Sequence, residues 1–435
     1  MTNRTPPLVS GGFPVIGHTF EFARDRDALF RRGFEEHGNV FSFQLMGKPF
    51  AVVTGAANNK LFYGETDKAL NMDEAYDFLR ATFGDILFVA GQERYQNERP
   101  LLQTLFRHDK MARYVNAMRA EVQRWLDSLG DSGEVNISAA MLPLTQMVAG
   151  HAFIGANFRD ELPDSFWADY QSLSAAIDPL LPPNLPLPKF FRRDRARARM
   201  RSVFAQLIAR RREHPEQYDD LITLIQTTPL KDGTFMKDED ITTLFIGLLF
   251  AGHETTAGQA GWTIIQLLQH PDYLRLVQDE IAAHVTPDMD PRGLSKLEHI
   301  YWAIDETTRM YPSADIQMRM VKAPLTVESY QVEPGWGMVV NAANSHFQAD
   351  VYTQPEQYDP LRYTRGEGGG AFEIVGFGGG MHKCTGMNFA KNEMAVITML
   401  LFQQFDLELV TTDIHIQRGV GANRPSAAWV KYRRK

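Results

Sequence analysis

Cysteine is almost missing from this chain: Cys384 is the only one in 435 residues. A single cysteine excludes an intrachain disulfide, a four-cysteine zinc site and an iron–sulfur cluster. It leaves three roles open: one thiolate ligand, a nucleophile, or a buried and inert thiol. Long apolar runs are missing too. No window reaches the roughly 18 consecutive apolar residues that a membrane span requires. Residues 1–20 lack the cationic stretch and following apolar run of a signal peptide. Excess positive charge is absent, and a net charge of −8 argues against a nucleic-acid role. There is no internal repeat, no low-complexity domain, and no flavin- or iron–sulfur-binding segment. Together with the single cysteine, these absences predict a soluble, cytoplasmic protein.

What is present is a large apolar interior. Hydrophobic residues make up 44% of the chain, enough for a sizeable core, and 18 methionines with 28 phenylalanines make that core adaptable. The segment Val40–Val53 reads as a hairpin turning at Met46-Gly-Lys-Pro49. From about Asp73 to Arg309 the periodicity is helical, broken at Phe83-Gly84, at Asn184 between prolines, and at Asp232-Gly233. Strand-like stretches occupy about 38–55, 320–345 and 405–435. This pattern predicts one mainly α domain over 1–435 with a small β region.

The run Phe377-Gly-Gly-Gly-Met-His-Lys-Cys384-Thr-Gly386 surrounds the cysteine with glycines, which let backbone approach a flat partner closely. A helical segment follows, so Cys384 stands just before a helix N-terminus, where a thiolate is stabilised.

Asp238–Gln269 is the longest helical pattern, with acids in its first turn and His270-Pro271 after its end. At 1.5 Å per residue it spans roughly 50 Å. Leu248, Ala251, Gly252 and Thr255 share one face, which is small at mid-helix and leaves room for a ligand. Thr255 can bond back to the Ala251 carbonyl and loosen the turn. His253 and Glu254 are polar groups in a stretch that should be buried, which is costly without partners. Two readings stay open: a packing notch with a satisfied polar pair, or a groove where a small molecule binds and protons enter. Glu306 and Arg309 lie one turn apart on a shared face, an arrangement that is ordinarily surface decoration. Arg362 follows shortly before the cysteine loop.

These residues together resemble the cytochrome P-450 superfamily, the haem-thiolate monooxygenases. Phe377, Gly380, His382, Cys384 and Gly386 match its cysteine-loop pattern. Ala251, Gly252, Glu254, Thr255 and Thr256 match its long-helix pattern. Glu306, Arg309 and Arg362 match its buried network, in the family's order and spacing. Within the family, the pattern is most similar to the sterol 14α-demethylases. That similarity rests on His382 in place of an arginine, Tyr76-x-Phe78 with Phe83-Gly84, and Met318-Arg319. The chain departs from that group at Glu254, where a histidine is usual. It also departs at Phe88-Val89, where an acid is usual, and in the polar run Ala314-Asp315-Ile316-Gln317.

The resemblance implies a single-domain P-450 fold and haem b held by Cys384. Phe377 would shield the sulfur, and Gly378 would belong to the cofactor loop. Arg99, Arg319, His382 and the Tyr76 hydroxyl would meet the propionates, with Arg94 as a further candidate. Thr255 would hydrogen-bond dioxygen, and Glu254 would relay protons through water. Glu306, Arg309 and Arg362 would brace the cysteine loop. Tyr76, Phe78, Leu79, Phe83, Phe88, Ala251, Ala314 and Ile316 would line the substrate pocket.

The implied reaction inserts one atom of O2 into a lipophilic small molecule: a sterol, terpenoid or fatty acid. Electrons would come from a ferredoxin or flavodoxin and its reductase, docked on Lys383, Lys391, Lys110 and Arg113. The basic run Lys189–Arg201 reads as a solvated helix face, or as a weak peripheral membrane contact with no transmembrane anchor. The alternatives are a peroxide-driven haem enzyme or isomerase and a non-enzymatic haem or lipid binder. The Glu254-Thr255 pair argues against both.

Overall fold

The computed structural model describes residues 4–179, 181–286, 289–419 and 422–435, with Phe88 and His108 described by their backbone alone. Helices dominate and the β-structure is confined to small sheets. Contacts divide the chain into two units. One comprises Met1–Asp77 with Arg309–Cys384, and the other Phe78–Thr308 with Thr385–Lys435.

The first unit carries a five-stranded sheet in the order Val40–Leu45, Lys48–Val53, Gly337–Asn341, Ile316–Val321, Leu70–Asn71. The hairpin turns where the sequence places it, and Met46 adopts φ 49° there. Lys48–Val53 pairs in parallel with Gly337–Asn341, and the other pairs are antiparallel. Side chains alternate across a strand, and the strand Ile316–Val321 shows the consequence. Ile316 and Met318 pack on a core of Val9, Leu29, Phe30, Phe41, Phe43, Val52 and Val339. Gln317 and Arg319 instead turn toward the helix Ala56–Glu65, where Gln317 accepts from Tyr63 and Arg319 lies over Phe62. Asp315, next to this strand, is buried and accepts from Nε and Nη2 of Arg26 at 2.9 and 2.6 Å. The polarity of Ala314–Gln317 is therefore structural.

The second unit is built around the long helix, which runs over Asp238–Gln269 as its sequence pattern predicts. It packs on the helices Ile137–Ile154 and Met387–Gln404. Ile137–Ile154 corrects one expectation. It is an 18-residue helix long and apolar enough to cross a membrane, although no such window was anticipated. Most of it is buried inside this unit, as the core helix of a globular domain would be. A strand absent from the sequence reading, Ser132–Asn136, joins a sheet with Trp429–Arg434 and Phe405–Leu409.

The basic helix Pro188–Glu213 is less cationic than its sequence suggests. Lys189 pairs with Asp178 at 2.7 Å, Arg193 is buried beside Asp194, and Arg199 and Arg201 pair with Asp169 and Glu239.

Candidate active site

In the first unit, the cysteine loop is a tight closure of backbone. The Cys384 amide donates to the Phe377 carbonyl at 2.9 Å, and the Gly378 amide donates to Val375 at 2.8 Å. Gly378 and Gly380 take φ values of 71° and 61°, a region that L side chains avoid. A Cβ on Gly379 would meet the Tyr63 ring at 2.7 Å, so glycine is required there for close packing as well. Cys384 is exposed on this loop. Among the described residues no cluster of three or more His, Cys, Asp or Glu side chains could hold a metal.

Two of the predicted propionate partners share one turn. The His382 Nε2 lies 2.8 Å from an Asp67 carboxylate oxygen, and the Arg319 Nε donates to the neighbouring Thr66 hydroxyl at 3.2 Å. Asp67 itself sits at φ 70°, so the turn holds its side chain in place. The sequence reading missed Asp67, because a partner 315 positions away from His382 leaves no local pattern. The Tyr76 hydroxyl accepts from the Met318 amide at 3.2 Å.

Behind the loop lies an arginine network. Arg309 and Arg362 are completely buried, as is Glu306 on the helix Glu298–Met310. Both arginines donate to the Gln357 carbonyl, at 3.3 and 3.0 Å, and both stand over the Tyr352 ring. Glu367, also missed from sequence, takes Arg362 at 2.7 Å. His346 completes the network. Its Nε2 accepts from the Val375 amide at 2.8 Å, so Nδ1 carries the proton and donates to the Arg309 carbonyl at 2.9 Å. Burial pushes this imidazole down to about 4. The ring is neutral at physiological pH and ties the end of an arginine-bearing helix to the root of the cysteine loop.

In the second unit the middle of the long helix departs from its surroundings. Leu248, Ala251, Gly252 and Thr255 are only partly buried, whereas Ile241–Gly247 and Thr256–Leu267 are buried throughout. A Cβ on Gly252 would meet nothing within 4 Å. A Cβ on Gly258, six residues on, would lie 2.5 Å from the Asn423 carbonyl. One glycine thus borders open space, and the other permits packing. Three successive carbonyls here receive hydroxyl donors: Thr255 to Ala251 at 2.7 Å, Thr256 to Gly252 at 2.7 Å, and Thr145 to His253 at 3.1 Å.

The pocket candidates divide. Phe83 is buried with its ring 4.4 Å from that of Phe250, Leu79 is buried, and Phe78 is half-buried. Ala314 is exposed, and Ile316 is half-buried, packed against the first unit's core. The Phe88 side chain lies outside the described residues.

Arg99 lies on the helix Gln92–Leu105, 5.9 Å over the Tyr95 ring, and its buried Nε has no hydrogen-bond partner among the described residues. A buried guanidinium nitrogen without an acceptor is costly, and a carboxylate is the partner its chemistry calls for. Arg94 is engaged otherwise, by Glu98 and the Asp85 carbonyl. The proposed redox-partner patch also shrinks, since Lys391 is paired with Asp305 and Arg113 with Asp219. Within the first unit, an exposed thiol on a glycine-rich loop fits a flat, thiolate-ligated group. Within the second, Gly252 borders open space and the Arg99 Nε calls for an acceptor.

Comparison with known proteins agrees with this geometry. The cytochrome P450 family model matches residues 6–425. A sterol 14α-demethylase of Mycolicibacterium vanbaalenii is 31% identical over 99% of this chain and 98% of its own length. The human lanosterol 14-alpha demethylase is 29% identical over 93% of this chain and 82% of its own. A solved structure, the retinoic acid-bound cyanobacterial CYP120A1, superposes over the full length of both chains with a TM-score of 0.89 at 23% identity, a likeness of fold. The chain belongs to the cytochrome P450 family and is a monooxygenase.

Proposed function

We propose that this chain oxidises a sterol-sized lipophilic molecule, using haem b held by Cys384. The observation that carries the reading is the open face of the long helix at Gly252, where an added Cβ would meet nothing within 4 Å. Two points support a sterol-like substrate. The relatives named sterol 14-demethylases span most of this chain. The polar run at Ala314–Gln317, which argued against an apolar pocket, is accounted for by Arg26 and Tyr63.

Bound haem supplies the activation of dioxygen, with thiolate donation favouring cleavage of the O–O bond. The chain's own residues do the rest. Arg99, Arg319, His382 and Tyr76 hold the propionates, and Asp67 orients His382 as outer-shell carboxylates do. Gly378 and its neighbours let the loop approach the ring, and Phe377 keeps water from the sulfur. Thr255 supplies a hydroxyl and Glu254 a carboxyl that passes protons. Glu306, Arg309 and Arg362 keep the loop in shape. The two units act as one domain, served by a ferredoxin or flavodoxin in the cytoplasm.

The test is a binding screen of the haem-loaded protein with sterols, fatty acids and terpenes, reading the shift to high spin. A sterol shift at micromolar concentration supports the reading; a shift with fatty acids or terpenes alone overturns the sterol assignment. Turnover with NADPH, ferredoxin and its reductase, and none with hydrogen peroxide, separates this reading from a peroxide-driven enzyme.

A further inference from the structure

Glu254 stands where the most similar group usually carries histidine, and a carboxylate at mid-helix needs its own donor. The structure supplies one. The Ser174 hydroxyl donates to a Glu254 carboxylate oxygen. Ser174 is the last residue of the helix Phe166–Ser174, and Tyr170 lies one turn before it on the same face. The Tyr170 ring stands edge-on to His253, with centroids 4.6 Å apart. This one helix therefore grips two consecutive residues of the long helix, His253 through a ring and Glu254 through a hydroxyl.

The other side of His253 is held as well. Its Nδ1 donates to the Leu249 carbonyl at 2.8 Å, and its Nε2 accepts from Gln146 at 3.3 Å. Burial lowers the pKa of this imidazole, consistent with the neutral tautomer that these two bonds require. Burial first, and then the charge of Glu254, pushes the Tyr170 hydroxyl well above its ordinary pKa. His253 is thus a fixed, neutral wedge that sets the rotation of the long helix. With the rotation set, the Ser174 hydroxyl directs the Glu254 carboxylate.

We infer that Ser174 is a positioning residue for proton delivery: its hydroxyl holds the Glu254 carboxyl in the place from which protons are passed. This rests on the reading of Glu254 as the proton-passing acid. The contact is side chain to side chain, so it can be removed without touching the long helix itself. A carboxylate released from its donor samples several rotamers, and a misplacement of about 1 Å in a reacting group costs about a hundredfold in rate.

The test uses Ser174→Ala, Ser174→Thr, Glu254→Gln and Glu254→Ala, with dioxygen as the probe so that no substrate need be known. On the haem-free chain, thermal unfolding of the cycle Ser174→Ala, Glu254→Ala and the double variant reads the contact directly. The serine change should lower the midpoint in the wild-type background and leave it unmoved once Glu254 is gone. On the loaded enzyme, with NADPH, ferredoxin and reductase, dioxygen consumption is measured in H2O and D2O. Ser174→Ala should slow it about tenfold and enlarge the solvent isotope effect, Ser174→Thr should restore both, and Glu254→Gln should slow it about a hundredfold.

Additive midpoints overturn the contact. Coupled midpoints with an unchanged isotope effect make Ser174 merely structural and overturn the positioning role. A Glu254→Gln enzyme with wild-type rate and isotope effect brings down the proton-passing acid, and Ser174's role with it. A slowed Glu254→Gln beside a normal Ser174→Ala brings down this inference alone.

Discussion

The Val375 amide donates to Nε2 of His346 at 2.8 Å, and this bond makes the shape of the cysteine loop depend on the protonation of a residue 29 positions upstream. The imidazole is wholly buried, and burial holds it down to about 4. An unfolded histidine titrates near 6.5. As pH falls below about 6.5 the unfolded chain takes up a proton that the folded chain refuses until about pH 4. Stability is thus full above this window, falls through it, and changes no further from this group below it. The difference amounts to roughly 3 kcal/mol across the window. In His346→Gln, whose amide can still donate and accept, this component should vanish. Urea midpoints from pH 7 to pH 4 should converge for the two proteins as pH falls. Parallel curves would refute the assignment.

Cys384→Ser should keep the fold and abolish the thiolate-type absorption band of the reduced, carbon monoxide-treated protein. Serine fits the loop, because the closing bond runs from the backbone amide of position 384 to the Phe377 carbonyl. Near-native circular dichroism with the band intact would show that another residue binds the iron.

Thr255→Ala removes a hydroxyl that now donates to the Ala251 carbonyl at 2.7 Å. Removing an intrahelical hydroxyl bond from a half-buried position should cost less than about 1 kcal/mol, because alanine is the better helix former. Function should suffer instead, with a larger share of electrons recovered as hydrogen peroxide. A variant that still couples electrons tightly to product would count against a role for this hydroxyl in oxygen chemistry.

The sequence carried the local parts of this site well. The long helix could be read to its ends because its acids, its apolar flanks and its terminal His270-Pro271 are all local signals. The small face at Leu248, Ala251, Gly252 and Thr255 was legible because 3.6-residue spacing needs no tertiary knowledge. What escaped was non-local. Asp67 meets His382, Glu121 takes His151 and Arg159, and Ser174 meets Glu254 only because the chain folds back. The strand Ser132–Asn136 is too short and polar to announce itself, and pairs with a strand almost 300 residues later. The side that Ile316 faces is set by the pleat of a strand whose pairing partner lies elsewhere in the chain. Charge counts misled most on the helix Pro188–Glu213, where acids from elsewhere answer its arginines.

Arg99→Met should separate stability from cofactor retention. Among the described residues the buried Nε meets no acceptor, so in protein prepared without haem an apolar replacement of similar length should leave stability unchanged or raise it by about 1 kcal/mol. Haem loss to apomyoglobin should nonetheless quicken. A variant that is destabilised without haem, yet holds haem as tightly as the wild type, would show that Arg99 serves the fold.

Gly252 and Gly258 lie on one helix and should respond oppositely to one methyl group. At Gly252 a Cβ meets nothing within 4 Å, so Gly252→Ala gains helix propensity without a clash and should raise stability by about 0.5–1 kcal/mol. At Gly258 the Cβ would stand 2.5 Å from the Asn423 carbonyl and 3.4 Å from Arg424, both backbone atoms, so Gly258→Ala should destabilise by about 1–3 kcal/mol. Gly252→Leu then extends the first change into the open space. It should fold and load haem while losing the high-spin shift with sterols, because its side chain occupies the room the substrate needs. A normal sterol shift in Gly252→Leu would mean that the substrate lies against some other part of the long helix.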